Sequence, residues 1–177
     1  MAGDEGKENA RGFSIVGLLV ARRLGGDVPI LATIFRHPEE NLAKCTLEPL
    51  RQRPELRFIE ARPENNFDGT GCLLLEVGAP PITLADAGRE LILLDGNWKQ
   101  VAELRRGIQG TPWPRSLPPI AGTYPRRNRE GLDPPVGLSS VEALYYALRL
   151  MGHDDPTLLA HYYWRAEFLA NIAAAAP

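Results

Sequence analysis

Short apolar runs alternate with polar, turn-forming segments along the chain. Runs at residues 13–20, 28–35, 56–59, 71–77 and 91–94 are rich in Val, Ile, Leu and Phe and have the length of strands. Several are apolar at consecutive rather than alternate positions, the pattern of strands covered on both faces, so a largely parallel sheet is expected. Helical patterns fall between and after them. A short helix is expected to begin at Pro38 and to end before Pro49, whose ring would clash inside it. Asn97 can cap a second, with Gln100 three residues on and Trp98, Val101, Leu104, Arg105 and Ile108 at helical spacing before Gly110 and Pro112. Ser139-Ser140-Val141-Glu142 reads as a capping box with Ser139 at N-cap. The stripe Val141, Leu144, Tyr145, Leu148 and Met151 then runs up to Gly152. The last helix is expected to start at Asp155-Pro156 and to carry Leu159, Tyr163, Phe168 and Ile172 into the alanine-rich end.

Composition fits this picture and narrows it. The 177 residues are 44% apolar and 24% charged, a globular mixture of the size of one ordinary domain. Residues 1–12 are charged and have little to bury, so they read as a mobile tail. Residues 13–177 read as a single α/β domain, halved at 13–90 and 91–177. Cys45 and Cys72 cannot make a disulfide framework, and His37, His153 and His161 show no ligand spacing, so no structural metal is expected. The apolar stretch 13–21 is too short to span a bilayer and follows acidic rather than basic residues, which points to a cytoplasmic protein.

The net charge of −2 argues against a globally basic nucleic-acid binder, but the charge is unevenly distributed. Between Lys99 and Glu130 stand Lys99, Arg105, Arg106, Arg115, Arg126, Arg127 and Arg129 against two glutamates, so that segment carries +5. Trp113 and Tyr124 are interleaved, as phosphate contacts plus stacking aromatics would require, and RNA is the natural partner; a solvated loop with an exposed helix face is the competing reading. The run 91–94 would deliver Asp95-Gly96-Asn97-Trp98 to the carboxyl end of a sheet strand and the start of a helix, where open α/β sheets bind ligands. Asp95 could take a proton there and Trp98 could form an apolar wall, unless Asp-Gly is only a turn and Trp98 only core. The capping role of Ser139 and Glu142 accounts for both without chemistry, and Cys45 reads as a small buried hydrophobe.

Taken in order, these segments resemble the ribosome-biogenesis aminocarboxypropyltransferases of small-subunit rRNA, and more distantly the DTW-domain tRNA transferases. His37-Pro38-Glu39 through Lys44-Cys45-Thr46 to Leu50 resembles the family's segment with Asp-Pro-Lys, then Cys-Thr or Cys-Ser, then Leu. Leu93-Leu94-Asp95-Gly96-Asn97-Trp98 resembles its Val-Asp-Cys-Ser-Trp loop, and Arg115-Ser116-Leu117-Pro118 its Arg-Leu-Leu-Pro. The segment from Leu138 to Ala143 resembles its Leu-Ser-Cys-Val-Glu-Ala, while Trp164, Phe168, Leu169 and Asn171 echo its C-terminal helix. The similarity spans residues 28–172. It departs at Asn97, at His37 and over residues 123–128.

The resemblance implies a SPOUT-like α/β fold, a mostly parallel sheet flanked by helices, whose trefoil knot forms the pocket for S-adenosylmethionine. Carried over by position, it implies cofactor contacts from Thr46, Leu94, Trp98, Leu117, Val136 and Ser140. Asp95 would accept the proton of the target base and the cationic segment would hold RNA. The implied activity is transfer of the 3-amino-3-carboxypropyl group from S-adenosylmethionine to a uridine-type base in small-subunit rRNA by a monomeric enzyme. A tRNA transferase, a SPOUT RNA methyltransferase and a non-catalytic ribosome-assembly factor remain as alternatives.

Overall fold

The computed structural model describes residues 28–125 and 137–175. The tail 1–12, the strand expected at 13–20, Val136, Arg126, Arg127 and Arg129 lie outside those residues. Among the described residues the elements are β1 (Ala32–Arg36), β2 (Leu56–Glu60), β3 (Phe67–Asp68), β4 (Leu73–Leu75), β5 (Leu91–Asp95), α1 (Trp98–Arg106), β6 (Ile108–Gln109), β7 (Trp113–Arg115), α2 (Ser140–Leu150) and α3 (Arg165–Ala175). Short 3-10 turns occupy Glu48–Leu50, Leu84–Asp86 and Pro156–Leu159. Five strands form one sheet in the order β2-β1-β5-β4-β7 with every pair parallel, and β3 and β6 make a separate two-residue pair.

The consecutive apolar positions of β1, β4 and β5 are explained by cores on both faces of this sheet. Successive side chains point to opposite sides. Ala32, Ile34, Leu73, Leu91 and Leu93 therefore pack with α2 and α3, through Leu144, Tyr145, Leu148, Phe168 and Ile172. Phe35, Leu74 and Ile92 face the other way, against Leu104 of α1 and Ile108. The larger core lies under α2, whose predicted stripe from Val141 to Met151 is buried throughout.

Three predicted helices differ from what forms. Residues 38–47 are a chain of turns, and only Glu48–Leu50 coils, as a 3-10 turn. Here the His37 ring accepts the Glu39 N–H and the Asn41 side chain accepts the Ala43 N–H, local bonds that compete with helix formation. Helix α1 ends at Arg106, because Ile108 leaves it to pair with Phe67 of β3. The C-terminal helix is divided: Asp155 caps only the turn Pro156–Leu159, and α3 begins at Arg165. With the interruption Leu158, Leu159 and Tyr162 are buried, while Tyr163, expected on the apolar stripe, is 87% exposed.

Candidate active site

Parallel register sets Arg36 beside Asp95 at the carboxyl ends of β1 and β5. The Arg36 Nε donates to Asp95 Oδ2 at 2.8 Å, and the other guanidinium nitrogens donate to a Glu48 carboxylate oxygen and to Cys45 Sγ. The Phe58 ring lies 5.1 Å from the guanidinium carbon. Arg36 is 4% exposed and Asp95 2%, so both charges are out of water. Such a pair persists only when nearly every donor has an acceptor. Burial and the adjacent Asp95 charge push the Cys45 thiol up to about 11, so it stays protonated and serves as a packed donor rather than a nucleophile.

Above these strand ends opens a cleft of about 1330 Å³. Leu94, Trp98, Val101, Leu117 and Ile120 give it apolar walls, and Glu40, Lys44, Thr46, Asp95 and Ser140 give it polar ones. Small-molecule sites usually enclose some hundreds to about a thousand cubic ångströms, so this one has ample room for a small-molecule ligand. Its walls are tied together across long sequence separations. Thr46 Oγ1 accepts the Val141 N–H in the first turn of α2, fixing the segment before Leu47 against that helix. Fully buried Glu142 accepts the Ser139 N–H at 2.7 Å, the Thr123 N–H at 2.7 Å and the Thr123 hydroxyl at 2.8 Å. The Thr123 hydroxyl lies 3.3 Å from that of Tyr162, which burial pushes up to about 12. At the rim a Cβ on Gly122 would lie 2.5 Å from the Gly137 carbonyl oxygen, so only glycine lets these two stretches meet.

Thr46, Leu94, Asp95, Trp98, Leu117 and Ser140, drawn from distant parts of the sequence, all line this one cleft. Of the cationic residues, Arg105 lines it and is paired with Glu76 at 2.6 Å. Lys99 and Arg106 sit on α1 outside the lining. Arg115 lies on β7, away from the cleft, with its Nε 3.0 Å from both oxygens of Asp86. Trp113 is 45% exposed, but Arg89 already stacks 3.9 Å from its ring centre. Tyr124 lines the cleft and meets Trp164 edge-on at 5.5 Å.

Sequence reasoning missed Arg36, Glu40 and Lys44. Arg36 left a signal: it closes an apolar run just as Asp95 does, and two buried strands ending in opposite charges are natural register partners. Glu40 and Lys44 sit in turns and left none. Among the described residues no group of three or more His, Cys, Asp or Glu side chains could hold a metal ion, and no helix is long and apolar enough to cross a membrane.

No protein-family model matches the chain, and no curated protein does. Among solved structures the chain is similar to the SAM-dependent rRNA:acp-transferase Tsr3 from Vulcanisaeta distributa. The two share 26% sequence identity with a TM-score of 0.60, over 78% of this chain and 76% of that one.

Proposed function

We propose that this chain is an S-adenosylmethionine-dependent enzyme that transfers the 3-amino-3-carboxypropyl group to a ring nitrogen of a uridine-type base in small-subunit rRNA. The observation that carries the reading is the convergence of Thr46, Leu94, Trp98, Leu117 and Ser140 around Asp95 in one cleft. The fold is similar to that of a SAM-dependent rRNA:acp-transferase, which supports the cofactor and the class of substrate. The residues present fit S-adenosylmethionine. Leu94, Trp98 and Leu117 offer apolar surface to an adenine ring, and Asp95 offers negative charge to a sulfonium and an amino group. On this reading the tight crossing of residues 122 and 137 belongs to a SPOUT-like knot around the cofactor loops.

The sulfonium makes each of its three attached carbons electrophilic, so orientation decides which group moves. The chain's part is to hold the carboxypropyl carbon in line with the incoming nitrogen, to keep water out, and to present a base. Arg36 fixes Asp95 through Nε, and the Thr46 contact fixes the facing wall. The mouth of the cleft, with Tyr124 and exposed Lys44, would receive the flipped base and its phosphates.

The test is incubation with S-adenosylmethionine labelled in its carboxypropyl carbons and small-subunit rRNA from cells lacking this protein. Label in rRNA together with free methylthioadenosine is the expected result. A methyl-sized mass gain on the rRNA without label, label in tRNA alone, or no transfer would overturn the reading.

A further inference from the structure

Glu40 is a carboxylate in the cleft for which the fold shows no structural use. It sits in the turns after β1 with its backbone N–H donating to the His37 carbonyl at 3.0 Å, and it lines the cleft with Asp95; its carboxylate has no hydrogen bond or ion pair among the described residues. Asp95 is differently placed: its Oδ2 is held by Arg36 Nε at 2.8 Å and receives the Cys45 thiol at 3.5 Å. A proton arriving on Asp95 would take one of the two carboxylate charges from the buried Arg36 guanidinium and leave it only Glu48, which is costly. A proton arriving on Glu40 would break nothing.

Resting on the function proposed above, we propose that Glu40, rather than Asp95, accepts the ring N–H proton of the target base, while Asp95 remains ionised as the fixed counter-charge beneath it. The nitrogen lone pair then forms the N–C bond to the carboxypropyl carbon, the C–S bond breaks, and its electron pair stays on sulfur as neutral methylthioadenosine. The proton ends on the Glu40 carboxyl and from there passes to solvent. Charge balances: the cationic sulfonium and the Glu40 carboxylate are both neutralised.

The environment suits a base. Burial and the like charge of Asp95 push the Glu40 carboxyl up, against the opposing pull of Arg36 and His37. The other ionisable groups around it are Lys44 and Cys45 on its own segment and the Glu76–Arg105 pair across the cleft, while His37 also approaches Glu103 of α1 at 3.7 Å. Two neighbouring carboxylates with different partners are thereby given different tasks.

The experiment compares the parent protein with Glu40→Gln and Glu40→Asp, using the labelled cofactor and rRNA above. Three readouts are taken: cofactor binding by calorimetry, turnover against pH, and titration of the Glu40 carboxyl carbon by NMR in the free parent protein. Expected are unchanged cofactor affinity in Glu40→Gln, a turnover loss of about 10²- to 10⁴-fold, and disappearance of the acidic limb of its pH profile. Glu40→Asp should keep the limb at reduced rate. In the parent, Glu40 should titrate above the other glutamates. The proposal fails if Glu40→Gln turns over within about threefold of the parent, if its acidic limb persists, if it loses the cofactor, or if Glu40 titrates as an ordinary glutamate. An inactive parent overturns the proposed function instead, and the NMR titration still judges the carboxyl.

Discussion

Two Arg–Asp pairs in this fold, one buried at both partners and one half-buried at its arginine, have similar distances and opposite surroundings. Arg36 meets Asp95 at 2.8 Å across the β1–β5 register, and Arg115 meets Asp86 at 3.0 Å between β7 and the turn Leu84–Asp86. Asp86 is saturated: both of its oxygens take Arg115, and Oδ2 also takes the Thr83 N–H. Burial pushes its carboxyl up, but Arg115 and Thr83 outweigh that and hold it below the usual range. Asp95 has one oxygen engaged, and its Oδ1 has no hydrogen-bond partner among the described residues. It also has a second carboxylate, Glu40, beside it and an open cleft above. The same ion pair is a closed staple at the sheet edge and a charge-loaded platform at its centre. What surrounds a buried charge, rather than the pair itself, separates structural from chemical use.

Removing the guanidinium from each pair should separate the two most clearly. Arg36→Met leaves Asp95 and Glu48 without their donor and should destabilise the protein by about 3–5 kcal/mol in denaturant unfolding. Arg115→Met should cost less, about 1–3 kcal/mol, because Asp86 keeps the Thr83 amide. That loss should depend on pH. A depressed carboxyl contributes stability that is present above its unfolded value, near 3.8, and is lost as pH falls through its folded value. The gap between parent and Arg115→Met should therefore narrow in acid. A gap of constant size from pH 7 to pH 2 would mean that Arg115 acts through packing alone.

The two pairs also mark what the amino-acid pattern could and could not reveal. The parallel sheet was legible because β1, β4 and β5 are apolar at consecutive positions, and α2 because its capping box and stripe agree. The position of the loop from Asp95 to Trp98 was legible because a strand end and a helix start meet there, and that loop lines the cleft. Arg115 read as one more cation of an RNA-binding segment, since nothing in spacing alone brings Asp86 to it from 29 residues away. The segment after Pro38 read as a helix because side-chain bonds such as that of Asn41 to Ala43 leave no periodic signature. A register contact between two strand ends, such as Arg36 with Asp95, leaves a trace in the pattern, whereas one between a strand and a distant turn, such as Arg115 with Asp86, leaves none.

A smaller effect is expected at the wall of the cleft. Trp98 opens α1 half-buried and lines the cleft, so Trp98→Ala should weaken S-adenosylmethionine binding about tenfold by calorimetry through loss of an aromatic wall. Unfolding stability should fall much less than in Arg36→Met. Unchanged affinity would remove Trp98 from the cofactor site.

The smallest expected change has the opposite sign from the others. Glu40 has a folded carboxyl raised above its unfolded value, for which 4.5 is the reference. Its neutral form is thus the one the fold prefers. The stability it contributes is fully present below that reference and is lost as pH rises through the folded value. At neutral pH the protein carries a partly buried charge beside Asp95, while glutamine has the same shape and no charge. Glu40→Gln should therefore be slightly more stable than the parent at pH 7, by less than about 1 kcal/mol because solvent reaches the site. The two proteins should converge below the reference value, as measured by thermal unfolding at each pH. Removing a charge would then destabilise the staple and relieve the cleft. A Glu40→Gln protein less stable than the parent at neutral pH would mean that Glu40 belongs with Asp86 as a structural carboxylate.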